Sequence, residues 1–309
     1  MSSKLKHTIF KNFSANLKKT LAENKLALRS DLAEIPDELY LCPISFNYFP
    51  EETIESGDLT LEHVPPDSLG GKGKVLTCKL INNGDGQSSD KRFLNYFKGL
   101  IFEHYQGTVP AKISSTKLQF HGITSELSIG LNGRPRFQFV TSKNNIKALE
   151  HKKLFEVWDG TKFNVTWQVQ KQIDKRTLLK CAYLTAFSKI GYHLLFSEKG
   201  YRNNTYGILA KFLRSEEMTE EYPIPFLAEH SPVDTPPIGI ITAPPAYRAL
   251  YVNLDFQLDG HDFKYVVFLP HPLEDDMNTL KNLDELIIKG NGGNQVNLKT
   301  SPIPERYLM

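Results

Sequence analysis

The spacing of apolar positions changes several times along the chain. Leu17, Leu21 and Leu28 recur at helical intervals, predicting an amphipathic helix within the first 35 residues. From Leu41 to about Gly107 the pattern shortens. Three β-like pieces (Leu41 to Phe49, Leu59 to Glu62, Lys74 to Cys78) surround a Pro- and Gly-rich loop, Val64 to Gly73. A polar stretch, Asn82 to Ser89, then leads to a helix. Asp90 suits its N-cap, and Phe93, Leu94, Phe97, Leu100 and Ile101 form an apolar stripe behind it. Glu126 to Val140 alternates around Asn132-Gly133, a hairpin signal because both central residues tolerate positive φ. Phe163 to Val169 alternates as a further strand. Asp174 opens the strongest helix, with Leu178, Leu179, Ala182, Tyr183, Ala186, Phe187 and Ile190 on a wide apolar face and Gly191 at its end. After the Pro-rich segment Pro223 to Pro245, Ala249 to Leu258 and Tyr265 to Leu269 alternate as strands, and the tail from Gly290 reads as loosely ordered. The sum is an α+β protein without internal repeats.

Composition narrows the class more than the function. The 309 residues are 40% hydrophobic and 23% charged, the balance of an ordinary globular protein, with length for one large domain or two modest ones. No apolar run approaches bilayer length, and the N-terminus lacks a secretory apolar core, so a cytoplasmic protein with no membrane partner is expected. Three cysteines (Cys42, Cys78, Cys181) make no disulfide framework, in keeping with a reducing compartment. A net charge of +2 draws nucleic acid by no global field, so any such contact must come from local basic surface. The N-terminal lysines are either a solvated helix face or a basic arm along a phosphate backbone, and the sequence leaves both open.

The chemistry concentrates between Leu59 and Asp90. Glu62 and His63 are adjacent at the end of a short strand, where neighbouring side chains point different ways, so that one can hold a metal while the other handles a proton. Pro65-Pro66 stiffens the exit from that strand, and Gly70-Gly71 allows a tight reversal. The return strand leads to Asn82 at the approach to the helix. Glutamate and asparagine oxygens are hard ligands suited to Mg2+, with Mn2+ or Ni2+ as alternatives. A histidine titrates near neutrality and can take the proton of an attacking water.

The stretch resembles the HNH endonucleases of the ββα-metal fold, especially bacterial members with Glu-His-Val-Pro-Pro, Gly-Gly, Leu-Thr-Cys and Asn-Asn elements. Here these are Glu62-His63-Val64-Pro65-Pro66, Gly70-Gly71, Leu76-Thr77-Cys78 and Asn82-Asn83. The resemblance covers about a fifth of the chain and implies His63 as general base with Glu62 and Asn82 as metal ligands. A weaker similarity lies in the helix Leu178 to Tyr192. Three features depart from the pattern. Cys42-Pro-Ile-Ser45 and Cys78-Lys-Leu-Ile81 each lack one cysteine of a zinc pair, so no structural zinc is expected, and Ile44, Phe46 and Ile81 would pack in its stead. The middle asparagine that orients the histidine has no counterpart before Leu76. Glu replaces the commoner Asp beside the histidine.

The resulting expectation is a basic helical arm over 1–38, an HNH ββα-metal module over 39–108 and a mixed α/β accessory region over 109–309. The module would hydrolyse phosphodiester bonds, of DNA rather than RNA, and the accessory region would supply targeting, stability or homodimer contacts. Lys72, Lys74, Lys79, Lys91 and Arg92 are candidates for a phosphate-binding surface, with a solvated face nearly as good an account. Asn82 and Asn83 serve equally as ligand or cap when taken singly, and only the family register selects Asn82. Asp90 reads as a cap, Cys42 and Cys78 as buried thiols. The competing class is a binding module that keeps the fold, and holds nucleic acid or a protein, without the reaction.

Overall fold

The computed structural model describes residues 3–26, 38–104, 111–118, 124–129, 135–139, 165–167, 172–197, 200–201, 205–214, 223–228, 236–272, 274, 276–289 and 296–309. The chain is α+β and forms two units, Met1–Asp90 with Lys175–Met309, and Lys91–Asp174. The first unit opens with α1 (Ser3–Glu23), β1 (Tyr40–Leu41), β2 (Tyr48–Phe49), α2 (Thr53–Ser56), β3 (Leu59–Val64) and β4 (Lys72–Cys78). Helix α3 (Lys79–His104) runs from the first unit into the second. There β5 (Ala111–Leu118), β6 (Thr124–Ile129), β7 (Pro135–Phe139) and β8 (Val165–Trp167) form an antiparallel sheet in the order β7-β6-β5-β8. The first unit resumes with α4 (Lys175–Ile190), β9 (Phe196–Ser197), β10 (Gly200–Tyr201), α5 (Tyr206–Arg214), β11 (Phe226–Ala228) and β12 (Ile238–Ala243). It closes with β13 (Ala249–Leu258), β14 (His261–Pro270), α6 (Asn278–Lys289) and β15 (Lys299–Ser301).

Helix α4 is the centre of the first unit. Every residue from Thr177 to Phe187 is buried, so the helix has no solvent face over three turns. It packs on β13 and β14 of the antiparallel sheet β11-β14-β13-β12-β15 and also on the β3–β4 hairpin. Gly191 ends it at φ +64, the conformation glycine adopts at a helix C-terminus.

Aromatic side chains join segments far apart in sequence. Phe13 of α1 stacks on Phe187 of α4 at 4.9 Å between centroids. The Tyr192 hydroxyl donates to the Leu41 carbonyl (2.7 Å) and accepts from the Leu41 N–H (2.9 Å). Tyr40 donates to Leu76 O (2.7 Å), and Tyr183 to Pro43 O (2.6 Å). Each buried ring thus adds apolar area while its polar tip satisfies backbone that the core would otherwise leave unpaired.

Several expectations need correction. Helix α1 is a core element of the unit that holds the β3–β4 hairpin, with Phe10, Phe13, Leu17 and Leu21 buried and Lys4, Lys11, Lys18 and Lys19 exposed; Leu28 lies outside the described residues. The units therefore do not follow boundaries at 38 and 108. The tail from Gly290 is ordered over 296–309: β15 pairs with β12, and Met309 N–H bonds Lys189 O at 2.8 Å. The Pro-rich segment contributes β11 and β12, and Ile238 to Ile241 of β12 are buried. The hairpin around Asn132-Gly133 is present as the β6–β7 pair, with Glu126 opposite Gln138; its turn lies outside the described residues.

Candidate functional site

The β3–β4 hairpin is shaped by three glycines. Gly70 sits at φ +81, a Cβ on Gly71 would lie 1.5 Å from Pro65 O, and a Cβ on Gly73 would lie 2.4 Å from the Leu61 side chain. The reversal after Pro65-Pro66 is thus closed by backbone contact that only glycine permits. Pairing runs from Leu59 opposite Cys78 to Glu62 opposite Val75, then shifts so that His63 faces Gly73, with Lys74 as the extra residue. A bulge re-aims side chains next to it. Glu62 and His63, expected to point to different faces, both line one pocket.

Helix α3 begins at Lys79, directly after β4, and not behind Asp90. The Lys79 N–H bonds the Asp58 carbonyl at 2.8 Å. Asn82 therefore lies in the helix's first turn, and Asp90 three turns in, on the pocket wall, so the cap expected at Asp90 is overturned. The turn-forming Asn and Gly residues yield to tertiary context, which propensity rarely outweighs.

The pocket is lined by Glu62, His63, Val64, Pro66, Asp90, Thr177, Lys180, Cys181 and Leu184, and its volume of about 10 Å3 admits no more than a water. Glu62 is buried. Its Oε1 accepts from Lys180 Nζ at 2.7 Å, and its Oε2 accepts from Thr77 Oγ1 at 3.1 Å. Lys180 stands on the solvent-free stretch of α4, where an ammonium is tolerated only with a partner. The Cys181 thiol beside it is pushed up by burial, which keeps it protonated. Asn82 donates through Nδ2 to Thr60 Oγ1 at 2.9 Å, one strand step from Glu62 on the same alternation. The His63 ring is half-buried and lines the pocket.

The arrangement brings together some of the expected site and leaves other parts aside. Glu62 and His63 share the pocket, while Asn82 flanks it on Thr60. Asp90 and Lys180 are members that sequence reasoning missed. Lys180 carried a faint signal all the same, a cation inside the apolar run Leu178 to Phe187. As arranged, the donors do not fit a divalent cation: both Glu62 oxygens are engaged, and among the described residues no three His, Cys, Asp or Glu side chains converge as ligands.

Of the basic candidates, Lys72 and Lys79 are exposed and Lys74 is half-buried, its ammonium held below the ordinary lysine range by burial and then by repulsion from Lys189. Lys91 and Arg92 begin the second unit, both exposed, and Arg92 pairs with Asp174 at 3.1 Å. Cys42 and Cys78 are buried thiols, as expected, and they are neighbours. Cys42 Sγ accepts from the N–H of Ser45 and from that of Cys78, each at 3.5 Å, with Ile44 buried beside them.

No protein-family model, curated protein or solved structure matches the chain. Among the described residues, no helix is long and apolar enough to cross a membrane.

Proposed function

We propose that the chain is a nucleic-acid phosphodiesterase of the HNH type, acting on DNA, with His63 as general base. The observation that carries the proposal is a hairpin running directly into a helix, with Glu62 and His63 on one pocket wall and Asn82 in the helix's first turn. Glu62, His63 and Asn82, up to 20 residues apart in sequence, support the reading by lying on this one hairpin and the start of the helix it enters. In the proposed reaction His63 takes a proton from water, the water oxygen attacks phosphorus, and the bond to the leaving oxygen breaks, that oxygen then being protonated. The small pocket leaves the nucleic acid outside it, and exposed Lys72, paired with Val64 of the pocket lining, offers charge to the backbone.

The engagement of both Glu62 oxygens favours a second function, a module that binds nucleic acid or a protein and does not cut. Plasmid nicking with Mg2+, Mn2+ or Ni2+, beside EDTA and His63→Ala, decides between them. The nuclease is expected to nick with a metal and to lose about 10²–10⁴-fold in rate on His63→Ala, the usual contribution of a general base. Nicking untouched by His63→Ala would sink the site, and DNA binding without nicking in any metal would leave the binding module.

A further inference from the structure

A histidine outside the pocket is held by two carboxylates at once. His7 of α1 has Nδ1 at 2.8 Å from Glu51 Oε1 and Nε2 at 3.0 Å from Glu55 Oε1. A neutral imidazole has one N–H and one lone pair, so it donates to one carboxylate and turns the lone pair on the other. Both contacts are hydrogen bonds only when the ring carries two protons. The surroundings favour that form: the bond to Glu51, and then the bond to Glu55, raise the ring above its ordinary value of 6.5. The bond from His7, and then that from Ser3 Oγ at 2.9 Å, hold the Glu55 carboxyl below its ordinary range. Other charges stand nearby. Helix α1 adds Lys6, beside Glu55, and Lys11, whose Nζ is 3.9 Å from Glu51 Oε1. The facing segment adds exposed Glu52 and Asp58, the latter accepting from Ser56 Oγ at 2.7 Å. Other elements packed on α1 meet it further along: Tyr40 lies on Phe10, Phe187 and Tyr192 on Phe13, and His193 is 3.3 Å from Glu23.

We propose that His7 is a proton-operated clamp between α1 and the segment 51–58: the imidazolium holds both Glu51 and Glu55, and the neutral ring releases one of them. The ring is 32% exposed, so its proton passes to solvent without any opening of the core. The segment contains α2 and continues through Gly57 and Asp58 into β3, while the Asp58 carbonyl accepts the Lys79 N–H that begins α3. The clamp thus fastens the chain at the root of the β3–β4 hairpin. The folded chain binds the second ring proton more tightly than the unfolded chain does. The clamp is therefore fully closed below 6.5 and is lost as the pH rises through the folded value. Glu55 sets the acid limit with the opposite sign, its contribution being lost as the pH falls through its own lowered value. None of this depends on the nuclease reading.

Titration of the His7 ring by NMR in the full chain, together with amide exchange at Glu55 and Ser56, tests this. Both of those N–H groups bond the Glu52 carbonyl, each at 3.1 Å. The ring is expected to titrate above 6.5, with Glu51→Gln and Glu55→Gln each lowering the value and the double variant returning it to about 6.5. Protection at Glu55 and Ser56, corrected for the intrinsic pH dependence of exchange, is expected to fall about fivefold across the His7 titration. That is the low end for coupled groups, because the partners face water. His7→Gln is expected to remove this pH dependence. A ring that titrates at its ordinary value in the unsubstituted chain overturns the clamp, as does a raised value that neither glutamine substitution lowers. Protection that ignores the titration, or that follows pH equally in His7→Gln, overturns it too. Should His7→Gln fail to fold, the double variant Glu51→Gln with Glu55→Gln decides, since its protection should no longer follow the ring, and protection that still does so overturns the clamp.

Discussion

The Glu62–Lys180 pair is the most consequential contact at the scale of single residues. Two charges withdrawn from water are tolerable only together, so removing one leaves the other buried without compensation. Lys180→Ala is expected to lower unfolding stability by about 3–5 kcal/mol, read by urea denaturation. Replacing both by apolar residues of similar size, Glu62→Leu with Lys180→Met, should recover most of that loss. A double variant as weak as the single one would show that Thr77 and the pocket, and not the pair, carry the cost. Glu62 and His63 were legible in the sequence because their spacing to the prolines, glycines and Asn82 is local. Lys180 and Asp90 were not, since their places in the pocket follow from how α4 and α3 pack.

At the scale of elements, the hairpin β3–β4 depends on backbone contact more than on side chains. Gly71→Ala places a methyl where Pro65 O stands, 1.5 Å away, so the reversal must open. It is expected to destabilise by more than the roughly 1 kcal/mol of an average substitution, and to reduce any nicking activity along with Tm. Unchanged stability would mean that the turn has slack the geometry does not show. The strands β13 and β14 and the helix α4 were visible as long periodic runs, where many residues vote the same way. Helix α3 was misplaced at its start because Asn and Gly between 82 and 86 read as a turn. The bulge at Lys74, beside the Glu62–His63 step of the pocket wall, had no local signal.

Across the whole molecule, tyrosines tie the hairpin, α1 and α4 into the first unit. Tyr192 both donates to and accepts from the backbone of Leu41, 151 positions away. Tyr192→Phe keeps the ring packing and strands a buried N–H and C=O together. It should cost about 1–3 kcal/mol in chemical denaturation, with faster amide exchange at Leu41. Exchange at Leu41 as slow as before would place that backbone's partner elsewhere. The chemistry-bearing motif, the class α+β and the long periodic elements were set by the sequence itself, because each depends on residues close along the chain. The division into two units, the burial of α1, the ordered tail, the bulge and the Lys180 ammonium on Glu62 were decided only in three dimensions. Such pairings join residues up to 176 positions apart, as Asn16 with Tyr192 does, and no local pattern encodes a partner at that distance.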